Sequence, residues 1–233
     1  RGQGIVYRAN GYTGIRISTH AVEWQIQQYA DISDAIAYTY QQDGHSFYVL
    51  VFPSANTTWV YDAATQAWHE RAGFTDGNFT RHRGNCQMSF NNKIVIGDFE
   101  NGNIYSFDLD DYSDNGSIQK WLRSWRALPT GQNNLKRTTQ HMMQLDCESG
   151  VGINLGQGDD PQVMLRWSDD GGHTWSNEHW ASMGKIGQYY KRVIWRRLGM
   201  TVKLRDRVYE VSGTDPVKIA IMGAELILSP TNA

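Results

Sequence analysis

Two stretches of this 233-residue chain combine residue types whose spacing implies chemistry. The first is Ser168-Asp-Asp170-Gly-Gly172-His-Thr174-Trp175. A carboxylate at Asp170 can accept backbone N–H groups inside its own turn. Ser168 and Thr174 add hydroxyls, Gly172 supplies a positive φ, and Trp175 packs the hairpin onto its sheet. The expected product is a self-contained hairpin turn, architecture rather than a reacting centre. The second stretch holds Lys191, Arg192, Arg196, Arg197, Lys203, Arg205 and Arg207, seven of the 22 basic residues, with Asp206 as its one acid. Strand alternation puts Lys203, Arg205 and Arg207 on one face, where like charges repel unless solvated or paired with carboxylate or phosphate. Two readings stand side by side. One is a local anion surface for a DNA backbone or an acidic neighbouring subunit. The other is a solvated edge strand protected by its charge.

Nothing else has the spacing a catalyst or cofactor needs. His20-Ala-Val-Glu23 lacks the second His of a helical zinc site. Asp108, Asp110, Asp111 and Asp114 lack the glycine and closing glutamate of a calcium loop. No glycine-rich phosphate loop, Gly-x-Ser-x-Gly elbow or Cys-x-x-Cys is present. The reading is therefore no catalytic residue, no metal and no cofactor. Cys86 and Cys147 read as small buried hydrophobes, which favours a reducing compartment.

The elements that must hold these stretches are strands. Ser46–Phe52, Thr58–Tyr61, Lys93–Ile96 and Asn103–Phe107 are short runs rich in β-branched and aromatic residues. Asp43-Gly44, Asp76-Gly77, Asn91-Asn92, Asn101-Gly102 and Asn115-Gly116 punctuate them as hairpin turns. Val49-Leu50-Val51 recurs as Ile94-Val95-Ile96, and Tyr61-Asp62 as Phe107-Asp108, each unit then reaching a tryptophan (Trp68; Trp121 or Trp125). That period suits propeller blades. One helix is expected near Val22, Ile26 and Tyr29, capped by Ser18-Thr19 with Glu23 in its first turn. A second is expected over Gly116–Arg126, with Ile118, Leu122 and Trp125 on one face.

Beyond residue 131 the pattern changes. Further strands are expected at Thr138–Asp146, Gln162–Trp167, Val193–Trp195, Arg207–Val211 and Val217–Ile221. The fold class is thus all-β. Residues 1–131 form partial propeller blades, and residues 132–233 form a β-sandwich-like region or elaborated final blade carrying the 168–175 hairpin.

Composition narrows the function classes. Charged residues are 20% of the chain, Asn and Gln number 29, and the formal net charge is −2. High aromatic content with low net charge excludes a disordered tail. A chain gripping nucleic acid through its overall field would be strongly basic, so any such contact must be local. No apolar run has the length of a membrane-spanning helix.

Several segments resemble known families. Residues 168–175 match the Asp-box pattern familiar in sialidases, and Asp62-Ala-Ala-Thr65-Gln-Ala-Trp68 is similar to a kelch segment without the kelch glycine pair. More broadly, Arg16-Ile-Ser-Thr-His-Ala-Val-Glu23, Asp43–Pro53, Thr58-Trp-Val-Tyr-Asp62, Trp68-His-Glu-Arg71, Arg166–Ser176 and Lys191–Gly199 resemble the packaged-DNA stabilisation proteins of short-tailed bacteriophages. Those are tail-hub or nozzle components of podovirus-like particles. Members are longer, and this chain, starting at Arg1 rather than Met, would be the C-terminal part. The resemblance implies a non-enzymatic virion subunit in a homo-oligomeric, hexameric ring, assembled in the bacterial host cytoplasm. Its implied partners are the adaptor and portal ring, a tail needle or tail fibres and tailspikes, and the double-stranded DNA passing through. A glycan-binding or sialidase-like propeller is the alternative.

Overall fold

The computed structural model describes residues 4–126, 137–202 and 207–231. The chain divides into two compact units, Arg1–Leu109 and Asp110–Ala233.

Unit 1 opens with the hairpin β1 (Tyr7–Asn10) and β2 (Thr13–Arg16), followed by helix α1 (His20–Gln27). Then come β3 (Ile36–Gln42), β4 (His45–Phe52), β5 (Thr57–Asp62) and β6 (Ala67–Glu70), a four-stranded antiparallel meander. A hairpin of β7 (Ala72–Thr75) and β8 (Asn78–Arg81) leads to a three-stranded meander of β9 (Gly84–Phe90), β10 (Lys93–Asp98) and β11 (Ile104–Ser106). The expected turns explain the tight connections. Asp43-Gly44, Asp76-Gly77 and Asn91-Asn92 take positive φ at both central positions, the geometry that matches strand twist.

The repeat maps onto these meanders, with Val49-Leu50-Val51 on the middle strand β4 and Ile94-Val95-Ile96 on the middle strand β10. β4 is buried on both faces. Val49 and Val51 join Tyr40 and Val60 on one side, and Leu50 and Phe52 meet Val22 and Ile26 of α1 on the other. Each such apolar side chain contributes about 1.5–3 kcal/mol on burial. The Thr19 hydroxyl caps α1 by accepting from the Val22 N–H, so the expected first helix is present.

His82, in the link between β8 and β9, is half-buried. Its Nδ1 accepts from the Gly84 N–H at 3.0 Å. Burial, reinforced by the nearby Arg71 and Arg83 charges, pushes its pKa down to about 3. A histidine neutral in the fold and titrating near 6.5 when unfolded gives stability that is complete above pH 6.5 and lost progressively toward pH 3. Linkage sets the loss at about 2 kcal/mol by pH 5. Thermal melts between pH 5 and 8 should show it, and His82→Asn, which keeps an acceptor for Gly84, should flatten the profile. Equal pH slopes in both proteins would exclude His82 as the source.

Unit 2 contains β12 (Trp121–Arg126), β13 (Thr138–Cys147), β14 (Gln162–Ser168), β15 (His179–Ser182), β16 (Val193–Arg196), β17 (Val208–Gly213) and β18 (Ile221–Pro230). One sheet runs β12-β17-β14-β15 and the other β16-β13-β18. Met143, Leu145, Val193 and Trp195 from the second sheet share a core with Val163, Leu165, Tyr209 and Val211 from the first. Two sheets facing one apolar layer make a β-sandwich.

Four expectations need correction. Cys86 is exposed and Cys147 only partly buried, so they are not the small buried hydrophobes expected. Gly116–Arg126 is not helical. Asn115 and Gly116 form a positive-φ turn, and Trp121–Arg126 is β12, in register with β17 from Trp121↔Gly213 to Arg126↔Val208. That pairing also moves the unit boundary from 131 to Leu109/Asp110 and assigns Trp121 and Trp125 to the sandwich, not to a blade end. The expected strand at Val217–Ile221 begins only at Ile221, where pairing with Cys147 starts, and Val217 is a buried loop residue. Gly131-Gln-Asn-Asn134, loop-like by composition, lies outside the described residues.

Candidate functional site

The 168–175 hairpin grows from the end of β14. Asp170 Oδ1 accepts from the His173 and Thr174 N–H groups at 2.9 and 2.8 Å and from the Ser168 hydroxyl at 2.6 Å. Oδ2 accepts from the Thr174 hydroxyl at 2.6 Å, and the Ser168 oxygen accepts from the Gly172 N–H at 2.8 Å. The Ser168 and Thr174 bonds hold the Asp170 carboxyl far below its ordinary range. Gly171 and Gly172 lie at φ +77° and +107°, where a side chain is strained. Trp175 is half-buried, with the Arg166 guanidinium 4.7 Å from its ring centre. The carboxylate is spent inside the turn, and the geometry is that of a brace.

Sequence reasoning missed what locks this brace. Arg207 is 2% exposed. Its Nε and Nη2 hold Asp169 bidentately at 2.6 and 2.7 Å, Nη1 donates to the Leu198 carbonyl at 2.7 Å, and Nη2 reaches the Met200 carbonyl at 3.2 Å. The guanidinium also lies 5.5 Å from the Trp167 ring centre. Arg207 therefore does not share an exposed basic face; its charge is consumed within unit 2. Lys203 and Arg205 lie outside the described residues.

The remaining cations of the stretch do reach solvent. Arg196 ends β16, and Lys191, Arg192 and Arg197 flank it; all four are exposed. None forms an ion pair among the described residues, and Arg196 rests its Nη1 on the Met142 sulfur at 3.3 Å. Arg197 has φ +60° and donates its N–H to the His141 carbonyl at 2.7 Å, so the chain turns sharply off the sheet there. Tyr189 and Tyr190 precede them, 75% and 80% exposed. A notch of about 280 Å³ beside them brings Lys191 and Arg192 toward Asp146, Cys147 and Glu148. Glu148 already holds Lys218 at 2.9 Å, and burial pushes the Cys147 thiol up to about 11. That thiol is a poor nucleophile.

The other flagged residues have structural duties. Glu23 binds Arg16 Nε at 2.7 Å and the Ser18 hydroxyl at 2.6 Å, and the Ile17 carbonyl accepts from the Trp68 indole at 2.8 Å. The Arg16–Glu23 segment is thus a clasp joining β2, α1 and β6. Asp62 accepts from the Ala64 N–H at 2.9 Å, the Thr65 hydroxyl at 2.8 Å and His45 at 2.7 Å. Burial alone would raise its pKa, but these bonds outweigh it and hold it at about 2. Among the described residues, no three His, Cys, Asp or Glu side chains converge as metal ligands.

Comparison with known proteins follows the same division. Residues 1–112 match a family model described as Bacteriophage P22 Gp10, beta-propeller. Residues 120–228 match a second, described as Bacteriophage P22 Gp10, beta-sandwich. No curated protein matches the chain. With its blade-like meanders and its sandwich each matched in order, the chain belongs to the P22 Gp10 family of packaged-DNA stabilisation proteins, structural proteins of short-tailed phages.

Proposed function

We propose that this chain is a tail-hub or nozzle subunit, part of a homo-oligomeric ring below the portal and adaptor that retains packaged DNA and lets it pass at ejection. The observation that carries this reading is the ordered match of both units to the two P22 Gp10 domains. The chemistry is mechanical and electrostatic. Rigid β-units set the shape, and the chain catalyses nothing. A near-neutral chain suits a conduit, because a wall gripping every phosphate would impede ejection. The exposed cations Lys191, Arg192, Arg196 and Arg197 supply the local anion contact, to DNA or to a neighbour. A tail needle or tail fibres would attach to the same ring.

The test is charge reversal of those four residues to Glu in assembling phage. Reduced DNA retention in intact particles assigns the surface to DNA, and failed assembly assigns it to a neighbouring protein. Normal assembly with normal retention overturns the site, and absence of the chain from purified particles overturns the virion reading.

One observation favours a second reading, a glycan-binding propeller. Unit 1 has an open cavity of about 700 Å³ where Tyr7, Tyr48 and Tyr61 stand with Thr39, Gln41 and Gln87. Aromatic faces with neutral hydrogen-bonding groups suit sugar rings. A glycan array and a sialidase assay discriminate, and hydrolysis abolished by one carboxylate substitution would replace the structural reading.

A further inference from the structure

The outer edge of β18 is unusual for an edge strand. It is ten residues long and exposed along most of its length, and its Met222 and Ile227 are 74% and 52% exposed. Its one charged residue is Glu225. Edge strands are ordinarily short, charged or covered, because a row of unpaired N–H and C=O groups invites another strand.

The direction of those groups follows from the ladder. The His141 carbonyl accepts from Arg197 on the β16 side. Alternation along β13 then turns Met143 and Leu145 toward β16 and Met142, Gln144 and Asp146 toward β18. Their partners Ile227, Glu225 and Gly223 are therefore turned inward. Ala224 and Leu226 are left with backbone donors and acceptors pointing out of the sheet. Among the described residues β18 pairs only with β13.

The same unit has a second open edge at β12, which pairs only with β17 among the described residues. β12 is short and carries two exposed arginines, Arg123 and Arg126, at positions of opposite parity. One therefore lies on each face of the strand, so an acid on either face of an opposing strand meets a cation. The single acid of β18 and the two arginines of β12 complement each other between copies.

We infer that β18 of one copy pairs with β12 of the next, continuing sheet to sheet from subunit to subunit. The two edges of one copy then meet different neighbours, a head-to-tail contact of the type that closes into a ring when its rotation permits. The inference rests on the ring-subunit reading above and names the surfaces by which that ring would close. Main-chain hydrogen bonds supply the affinity, as in other strand additions. Met222, Ile227 and the Glu225–arginine contacts set the register.

The test uses the whole 233-residue chain with Cys86 and Cys147 changed to Ser. Glu225→Cys and Arg126→Cys proteins are treated with a short bismaleimide, separately and mixed. The expected result is a cross-linked dimer in the mixture alone and a ladder of higher species in the double variant. Sedimentation velocity should show self-association that Ile227→Lys, a surface change that leaves the core intact, weakens at least tenfold. Cross-linking by Glu225→Cys alone would mean symmetric β18–β18 pairing and overturns the head-to-tail contact. A double variant that cross-links no further than a dimer would mean reciprocal two-fold pairing and overturns the ring contact. A monomer at every concentration, without cross-links, overturns the interface altogether. The virion reading is scored independently, by the chain's presence in purified particles.

Discussion

Replacing Arg207 with methionine is expected to cost unit 2 about 3 kcal/mol, the lower end of the range for breaking a buried pair. The low end applies because Asp169 keeps 24% of its side chain in solvent. The loss has two sources. Asp169 would keep a partly desolvated charge, and the Leu198 and Met200 carbonyls would lose their donor, each an unmet polar group of about 1–3 kcal/mol if water cannot reach it. Arg207→Lys should recover only part of the stability, since an ammonium cannot hold Asp169 bidentately while reaching two carbonyls. Denaturant melts of Arg207→Met, Asp169→Asn and the double variant would give the coupling directly. A single-variant effect below about 0.5 kcal/mol, typical of surface sites, would show that Arg207 is not the lock.

The second large effect is expected at Gly213, on β17 opposite Trp121. A Cβ there would sit 2.6 Å from the Trp121 indole nitrogen and 2.8 Å from two ring carbons. Gly213 is not a positive-φ glycine, so its role is close approach, not turn geometry. Valine at this position suits a strand intrinsically but overpacks the ring, at a cost of about 3 kcal/mol. Alanine should cost less. The measurement is the unfolding midpoint of unit 2 together with the near-ultraviolet signal of its tryptophans. Gly213→Val with Trp121→Leu should recover stability, because the smaller partner removes the clash. If the double variant is no more stable than the single, the tryptophan is not the obstacle.

How much of this was legible in the sequence depends on the range of each interaction. The Asp170 turn closes within seven residues, so its motif and its geometry agree. The hairpins at Asp43-Gly44 and Asn91-Asn92 are equally local. Alternation places Arg207 with Lys203 and Arg205, but its side chain is decided by Asp169, 38 positions earlier. Ile118 before β12 and Leu122 and Trp125 within it fall at helical spacing, and only pairing with the distant strand β17 makes residues 121–126 extended. β18 is not evident in the sequence because Gly223 and Glu225 interrupt its apolar run, while its partner β13 lies far upstream. The exposed cations at 191, 192, 196 and 197 were visible as a charge run. Which charges of the run stay free could not be read from it, since that depends on where acids fold.

The two-sided burial of β4 has a kinetic counterpart. Amides from Val49 to Phe52 are sealed between two apolar clusters, so their deuterium uptake should require opening of the whole of unit 1 and proceed at its global unfolding rate. The outward amides of Ala224 and Leu226 should instead label almost at once in the isolated chain. A single uptake time course therefore carries its own clock: β4 times the integrity of the fold, while protection appearing at β18 would time the arrival of a neighbour.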